Sequence, residues 1–307
     1  MKLYLNAGNG GRPMGDRAVQ FIKDHLFDGV RIGIPIGLPE EMIEPVVREL
    51  ADADLEACLI AGGWDWWTGD KAESKRDVGP TAEETLRDAI MASLAAQRAG
   101  LRFYIEPGNE PNLAPAKFKT DPAGFGKYVN DIAVGLIASG GLNRVRVISG
   151  GVSNINPWEG LPYVQRVSET LASVAILGVH PYRMGNRPKE ALGDQPIGLI
   201  ADLIRDLHPR FAITEGGWHT APRRAKRGFP LCFTYQEVPG WTDDEVATFA
   251  REEMDIWEKR APEFYTWYQL GDGPNNEQEH RFGVQTIDGT PKPVAAALKE
   301  WQKRRGR

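Results

Sequence analysis

The sequence has only two cysteines, Cys58 and Cys232. That is too few for a disulfide framework or a zinc ligand set. Both are expected as free thiols, Cys58 in an apolar strand-like run and Cys232 in a loop. No segment approaches the roughly 18 apolar residues that a membrane span needs, so no membrane partner is expected. The opening residues, MKLYLNAGNGGRPMGD, contain no apolar core of signal-peptide length. The chain as written is therefore expected in the cytoplasm, and outside the cell if a signal has been removed.

There is no basic excess either. A net charge of -5 and a pI near 5.7 argue against a nucleic-acid partner, which calls for a basic face. None of the five histidines pairs with another at helical or strand spacing. Glu277, Glu279 and His280 make at most an exposed site, so no metal and no cofactor are expected. Gly8-Asn9-Gly10-Gly11 is glycine-rich, but it lacks the P-loop lysine and the dinucleotide spacing, and it reads as a turn. No linker or low-complexity tract divides the chain.

What is present suits a soluble enzyme. Hydrophobic residues make up 41% of the chain and charged residues 26%, enough for a sizeable core and a surface to cover it. Apolar runs of strand length alternate with helical patterns throughout. The strand runs are Lys2 to Asn6, Gly29 to Ile34, Leu55 to Ala61, Leu101 to Glu106, Val145 to Ser149, Val174 to His180, Phe211 to Glu215 and Phe264 to Gln269. The helical patterns are Asp16 to Leu26, Glu40 to Ala51, Ala82 to Ala99, Gly124 to Ser139, Pro162 to Ala172, Ile197 to Leu207, Asp243 to Lys259 and Pro293 to Lys303. Thr81 with Glu84 and Thr242 with Glu245 each fit a capping box. Strands that alternate with helices pair in parallel through right-handed crossovers, and eight such units close a barrel. The expected fold is an α/β chain, a (β/α)8 TIM barrel, with residues 1–307 forming a single catalytic domain. A doubly wound open sheet is the competing architecture.

In a parallel barrel every strand aims its C-terminal end at one face, so residues at strand ends converge. The fourth strand runs into a loop bounded by Pro107 and Pro111 and delivers Asn109 and Glu110. Arg31 lies in the second, His180 and Tyr182 end the sixth, Glu215 ends the seventh, and Trp267 lies in the eighth. Trp64, Trp66 and Trp67 follow the third, and Trp218 follows the seventh. Indole rings at strand ends suit stacking on sugars, while tryptophans packed under loops would do no more than fill space.

Val30-Arg31-Ile32, Asn109-Glu110-Pro111, His180-Pro181-Tyr182, Ile213-Thr214-Glu215 and Trp267, in this order on these strands, resemble the retaining glycoside hydrolases of clan A, the cellulase-like barrel superfamily. Phe282-Gly283-Val284 with the final helix resembles the usual ending of that group. The likeness covers nearly the whole chain, but it matches no particular subfamily. One departure is that the first strand starts almost at once, with no extension to plug the barrel floor.

The resemblance implies that Glu110 is the general acid/base and Glu215 the nucleophile of a retaining enzyme acting on a β-linked glycan or glycoside. Such chemistry needs two carboxyl groups about 5 to 5.5 Å apart. Arg31 is expected beside Glu215, favouring its anion, and that anion is expected to hold the proton on Glu110. Tyr182 or His180 would donate a hydrogen bond to the cluster, and Asn109 would grip the sugar 2-hydroxyl. Substrate contacts are thus expected from Asn109, Arg31, His180, Tyr182, Trp267, Trp64 and Trp66, with an oligosaccharide or polysaccharide as partner. A transglycosylase would use the same residues, and a carbohydrate-binding barrel without activity is the alternative from another class. The basic run Arg223, Arg224, Lys226 and Arg227 reads as a solvated loop or a site for an anionic glycan. Pro222 to Trp241 and Gly271 to Arg281 read as long loops walling a cleft.

Overall fold

The computed structural model describes residues 1–9, 12–35, 37–62, 81–113, 118–140, 146–153, 155, 160–182, 197–229, 232–274 and 280–307. Eight strands, β1 (Lys2–Asn9), β2 (Gly29–Pro35), β3 (Glu56–Gly62), β4 (Phe103–Glu106), β5 (Val147–Ile148), β6 (Ala175–Val179), β7 (Phe211–Gly216) and β10 (Phe264–Trp267), close a barrel. Every neighbouring pair in it is parallel. Eight helices lie among the described residues: Asp16–Asp24, Glu40–Asp52, Ala82–Arg98, Pro122–Gly140, Gly160–Thr170, Ile197–Leu207, Asp243–Glu258 and Pro293–Arg304. The fold is the (β/α)8 barrel. Both capping boxes form, each threonine hydroxyl accepting from the glutamate backbone N–H three residues on. In Asp243–Glu258 the stripe Val246, Phe249, Ala250, Met254 and Trp257 is buried.

Two stretches differ from the sequence expectation. Pro222 to Trp241 is no plain loop: Arg223–Phe229 (β8) and Cys232–Val238 (β9) pair antiparallel, so Cys232 lies in a strand. Arg223 stacks its guanidinium 3.7 Å over the Trp241 ring, a contact that a run of charges does not announce. Gly8 and Asn9, expected in a turn, belong to β1, which runs past an irregularity in its pairing with β2 between Asn6 and Gly8.

The barrel interior explains why β2 carries an arginine. Seven strands each give one residue to a buried cluster of Tyr4, Cys58, Tyr104, Ile148, Ile176, Ala212 and Phe264. The eighth, β2, turns Val30, Ile32 and Ile34 to the helices and Arg31, which is fully buried, to the inside. Side chains alternate along a strand, so one apolar-polar-apolar run builds both the outer core and the inner site.

Rings close the barrel at its N-terminal end. Tyr4 stacks on Phe264 with centroids 4.4 Å apart, and Tyr104 meets Phe264 edge-on at 5.1 Å. Such pairs contribute about 0.5–1.5 kcal/mol beyond the area they bury. Gly29 makes room for them, because a Cβ there would lie 3.0 Å from the Tyr4 ring and 2.5 Å from the Glu56 carbonyl oxygen. The Tyr4 hydroxyl donates to Glu56 Oε2 at 2.6 Å, and Lys2 Nζ donates to the same oxygen at 2.5 Å. Aromatic rings and an ion pair thus close the floor.

Candidate active site

Arg31 is the hub at the opposite, C-terminal mouth. Its Nε donates to Glu106 Oε2 at 2.6 Å and its Nη2 to Glu106 Oε1 at 2.8 Å, a two-pronged pair in which neither side chain has exposed surface. Nη2 also donates to Asn109 Oδ1 at 2.9 Å, and Nη1 donates to Glu215 Oε1. Burial works against the guanidinium charge, but Glu106 and Glu215 outweigh it and hold its proton more tightly than usual. Glu106 collects two further donors, the Gly151 N–H at 3.1 Å and the Cys58 thiol at 3.4 Å. A buried carboxylate needs such a set of donors to offset its desolvation. Cys58 is buried, and burial first, then the Glu106 charge, push its thiol far above the ordinary range. It stays a neutral donor.

Glu110 is presented by a strained turn after β4. It is a non-glycine residue at φ 46°, behind Gly108 at φ 120°, and backbone strain of this kind clusters at functional sites. Five hydrogen bonds hold the turn, one of them from Leu113 N–H to the Glu110 carbonyl at 3.0 Å. Glu110 N–H donates to the Gly151 carbonyl at 3.0 Å and Gly108 N–H to the Glu106 carbonyl at 3.0 Å. Asn112 and Ser153 exchange two more, at 2.8 and 2.9 Å, tying the turn to the segment after β5.

His180, fully buried after β6, stands between the two candidate carboxylates. Its Nδ1 lies 3.1 Å from Glu110 Oε1 and 3.6 Å from Glu215 Oε2. Tyr182 donates its hydroxyl to Glu215 Oε2 at 2.9 Å. Burial, and next the Glu215 charge, push the Tyr182 phenol well above its ordinary value, so it keeps that proton. An oxygen of Glu110, a ring nitrogen of His180 and an oxygen of Glu215 all lie within 4.8 Å of one another. The three offer ligand atoms to a metal ion as well as groups for acid-base chemistry. Arg31 already donates to Glu215, so a cation occupies part of the space an ion would need.

Burial alone would raise the Glu110 carboxyl, but hydrogen bonds from His180 and Ser153 and the His180 and Arg31 charges outweigh it and hold it below its usual value. This corrects the expectation that the Glu215 anion keeps a proton on Glu110. The sequence could not show that His180 places a ring nitrogen between them.

The structure brings Arg31, Asn109, Glu110, His180, Tyr182 and Glu215 to one end of the barrel. Trp267, expected as a substrate contact, is enclosed: the ring has no exposed surface, its indole N–H donates to the Phe282 carbonyl at 3.1 Å, and it packs 6.5 Å from Trp218. The next residue, Tyr268, is the partly exposed one, edge-on to Tyr182 at 6.3 Å and to Phe282 at 5.4 Å. Trp64, Trp66 and Trp67 lie outside the described residues, and Trp218 is buried. Sequence reasoning missed Glu106, Gly151, Ser153 and Tyr268. For Glu106 a signal existed: it is a carboxylate inside a buried strand run, four residues before Glu110.

Solved structures share this barrel. A family 39 glycoside hydrolase from the gut symbiont Bacteroides cellulosilyticus WH2 superposes with TM-score 0.64 at 16% identity, over 96% of this chain and 62% of that one. A monomeric β-xylosidase from Caulobacter crescentus CB15 gives 0.65 at 15% identity, over 98% and 68%. The β-mannanase of Thermomonospora fusca gives 0.60 at 13% identity, over 99% and 87%. This chain shares the (β/α)8 barrel fold of these proteins. At these identities the likeness is one of fold, and the chain spans less than two thirds of the length of the family 39 protein. No protein-family model and no curated protein sequence matches the chain. Within this barrel, Glu110 follows β4 and Glu215 lies near the end of β7.

Proposed function

We propose that this chain is a retaining glycoside hydrolase acting on a β-linked glycan or glycoside, with Glu110 as acid/base and Glu215 as nucleophile. One observation carries the proposal: oxygens of the two glutamates lie within 4.8 Å of each other, at the mouth where a parallel barrel assembles its active sites. That spacing suits direct attack by a carboxylate, whereas an inverting pair stands about 6.5–9.5 Å apart to admit a water. The names of the structural neighbours, a β-xylosidase and a β-mannanase among them, favour a β-linked substrate.

In this scheme Glu215 attacks the anomeric carbon while Arg31 and Tyr182 hold its two oxygens. The C–O bond to the leaving group breaks as Glu110 gives that oxygen its proton. Glu110, now an anion, takes a proton from water, and the resulting hydroxide displaces Glu215. In the free site Glu110 favours the anion, which suits the second step. A docked sugar buries Glu110 further, and burial is the effect that raises it, which suits the first. Arginine only donates, so the Asn109 atom facing Arg31 is its oxygen. The Asn109 amide NH2 is then the group left to grip a sugar 2-hydroxyl. Tyr268 replaces Trp267 as the aromatic face for the sugar ring.

The test is a panel of β-linked aryl glycosides and glycans, read by NMR for released sugar and its initial anomeric form, with Glu110→Gln and Glu215→Gln alongside. Retention is expected. Glu110→Gln should lose about 100-fold or more in kcat on alkyl leaving groups and far less on aryl oxides, which depart without a proton. Glu215→Gln should lose both. Initial inversion, or near wild-type turnover in either variant, would overturn the proposal.

A further inference from the structure

Glu106 has no exposed surface, so no sugar touches it, yet a single residue separates it from each candidate carboxylate. Alternation along β4 turns it inward: Tyr104 belongs to the inner cluster, Ile105 to the outer core, and Glu106 follows them. Four donors meet its two oxygens. Oε2 accepts from Arg31 Nε at 2.6 Å and from the Cys58 thiol at 3.4 Å, and Oε1 accepts from Arg31 Nη2 at 2.8 Å and from the Gly151 N–H at 3.1 Å. A carboxylate only accepts and can serve all four, whereas a carboxamide would turn N–H donors of its own towards some of them.

Two arms lead from Glu106 to the mouth. The first runs through Arg31. A guanidinium is a rigid plane with five N–H donors at fixed angles, and paired bonds to one carboxylate fix that plane. With that edge taken, Nη1 is aimed at Glu215 Oε1, and Nη2 also reaches Asn109 Oδ1. The second arm runs through Gly151, whose N–H donates to Glu106 and whose carbonyl accepts the Glu110 N–H at 3.0 Å. Two glycines let this segment lie close against the Glu110 turn. A Cβ on Gly150 would sit 2.7 Å from the Gly108 carbonyl oxygen, and one on Gly151 would sit 2.0 Å from His180 Nε2. One buried carboxylate therefore anchors both sides of the gap.

We propose that Glu106 is a positioning residue that sets the gap between Glu110 and Glu215: it aims Arg31 at one and seats Gly151 beneath the other. This rests on those two glutamates being acid/base and nucleophile. Misplacing a reacting group by about 1 Å can cost about 100-fold in rate, so the reach of Glu106 matters as well as its charge. Aspartate keeps the charge but ends one methylene sooner. It cannot hold both prongs of Arg31 and the Gly151 N–H where glutamate holds them.

The experiment is Glu106→Asp in the full chain, followed by urea unfolding, by kinetics on aryl and alkyl β-glycosides, and by 15N NMR of the arginine side chains, with Arg31 assigned by its absence in Arg31→Lys. Because the charge is kept, most of the stability should remain, while kcat falls about 100-fold and KM changes little. The loss should be alike for aryl and alkyl leaving groups, since both glutamates are displaced, and the Arg31 Nε–H signal should move. Glu106→Gln, which removes the charge too, should lose stability in addition. Wild-type kcat in Glu106→Asp would overturn the proposal, as would a loss accounted for by unfolded protein, a loss confined to alkyl leaving groups, or an Arg31 signal that stays in place. In the wild type the Arg31 Nε–H should exchange slowly with solvent. Fast exchange overturns the proposal even if both variants fail to fold. Should Glu215→Gln retain turnover, the catalytic reading falls, while the Arg31 signal still reports whether Glu106 aims the guanidinium, so the two failures are distinguishable.

Discussion

Arg31 and Glu106 face each other through two parallel hydrogen bonds, 2.6 and 2.8 Å, with no exposed surface on either side chain. Breaking a buried pair by removing one partner costs about 3–5 kcal/mol, because the other charge stays buried. Arg31→Met leaves both Glu106 and Glu215 without their cation, so the full cost is expected in urea unfolding. Arg31→Met combined with Glu106→Gln should recover part of it. A single variant that unfolds within about 1 kcal/mol of wild type would show that the pair is not what holds the mouth together.

The histidines give the stability a pH dependence. Burial lowers both His208 and His219 below the ordinary imidazole value. In the unfolded chain each takes up a proton below about pH 6.5, while the folded chain resists it. The unfolded state therefore binds more protons, and stability falls as pH drops from about 6.5 towards the folded values, by at most about 1.4 kcal/mol per pH unit per histidine. His219→Gln should flatten that fall in urea titrations run on both sides of the window. An unchanged slope would mean that His219 titrates alike in both states.

Much of this architecture was legible in the sequence because it rests on local periodicity. The Val30, Arg31, Ile32 alternation is both a strand signal and the reason a guanidinium points inward, and Thr242 with Glu245 marks a helix start in four residues. The partnerships across the mouth were not legible. Nothing near Glu110 indicates that Gly151 accepts its N–H, or that Ser153 and Asn112 lock its turn, since those contacts depend on how two loops from different strands meet. The choice between Trp267 and Tyr268 depended on which face of β10 points inward, and Phe264 inside with Tyr265 and Trp267 in the outer core decides it.

That choice yields a paired test. Trp267 is enclosed and hydrogen-bonded to the Phe282 carbonyl, so Trp267→Ala should cost about 3–5 kcal/mol as a core truncation. Tyr268 is partly exposed, and Tyr268→Ala should cost far less stability while raising KM for the glycoside. Tyr268→Phe should keep most of the affinity, since stacking on a sugar uses the ring face. If Trp267→Ala weakened binding at unchanged stability, the two roles would be reversed.

The free-site state of Glu110 sets the last expectation. His180 holds the carboxyl below its usual value by hydrogen bond and charge. The alkaline limb of kcat/KM reports the acid of the free enzyme, so activity should fall off at a pH below that of an acid without such a donor. His180→Ala removes the donor and the charge together while Arg31 and Ser153 remain. The Glu110 carboxyl then rises, and the alkaline limb should move to higher pH even as kcat declines. A structural role alone would lower kcat without moving the limb. If the limb stayed in place or moved to lower pH, His180 would not be the group that sets the Glu110 proton affinity.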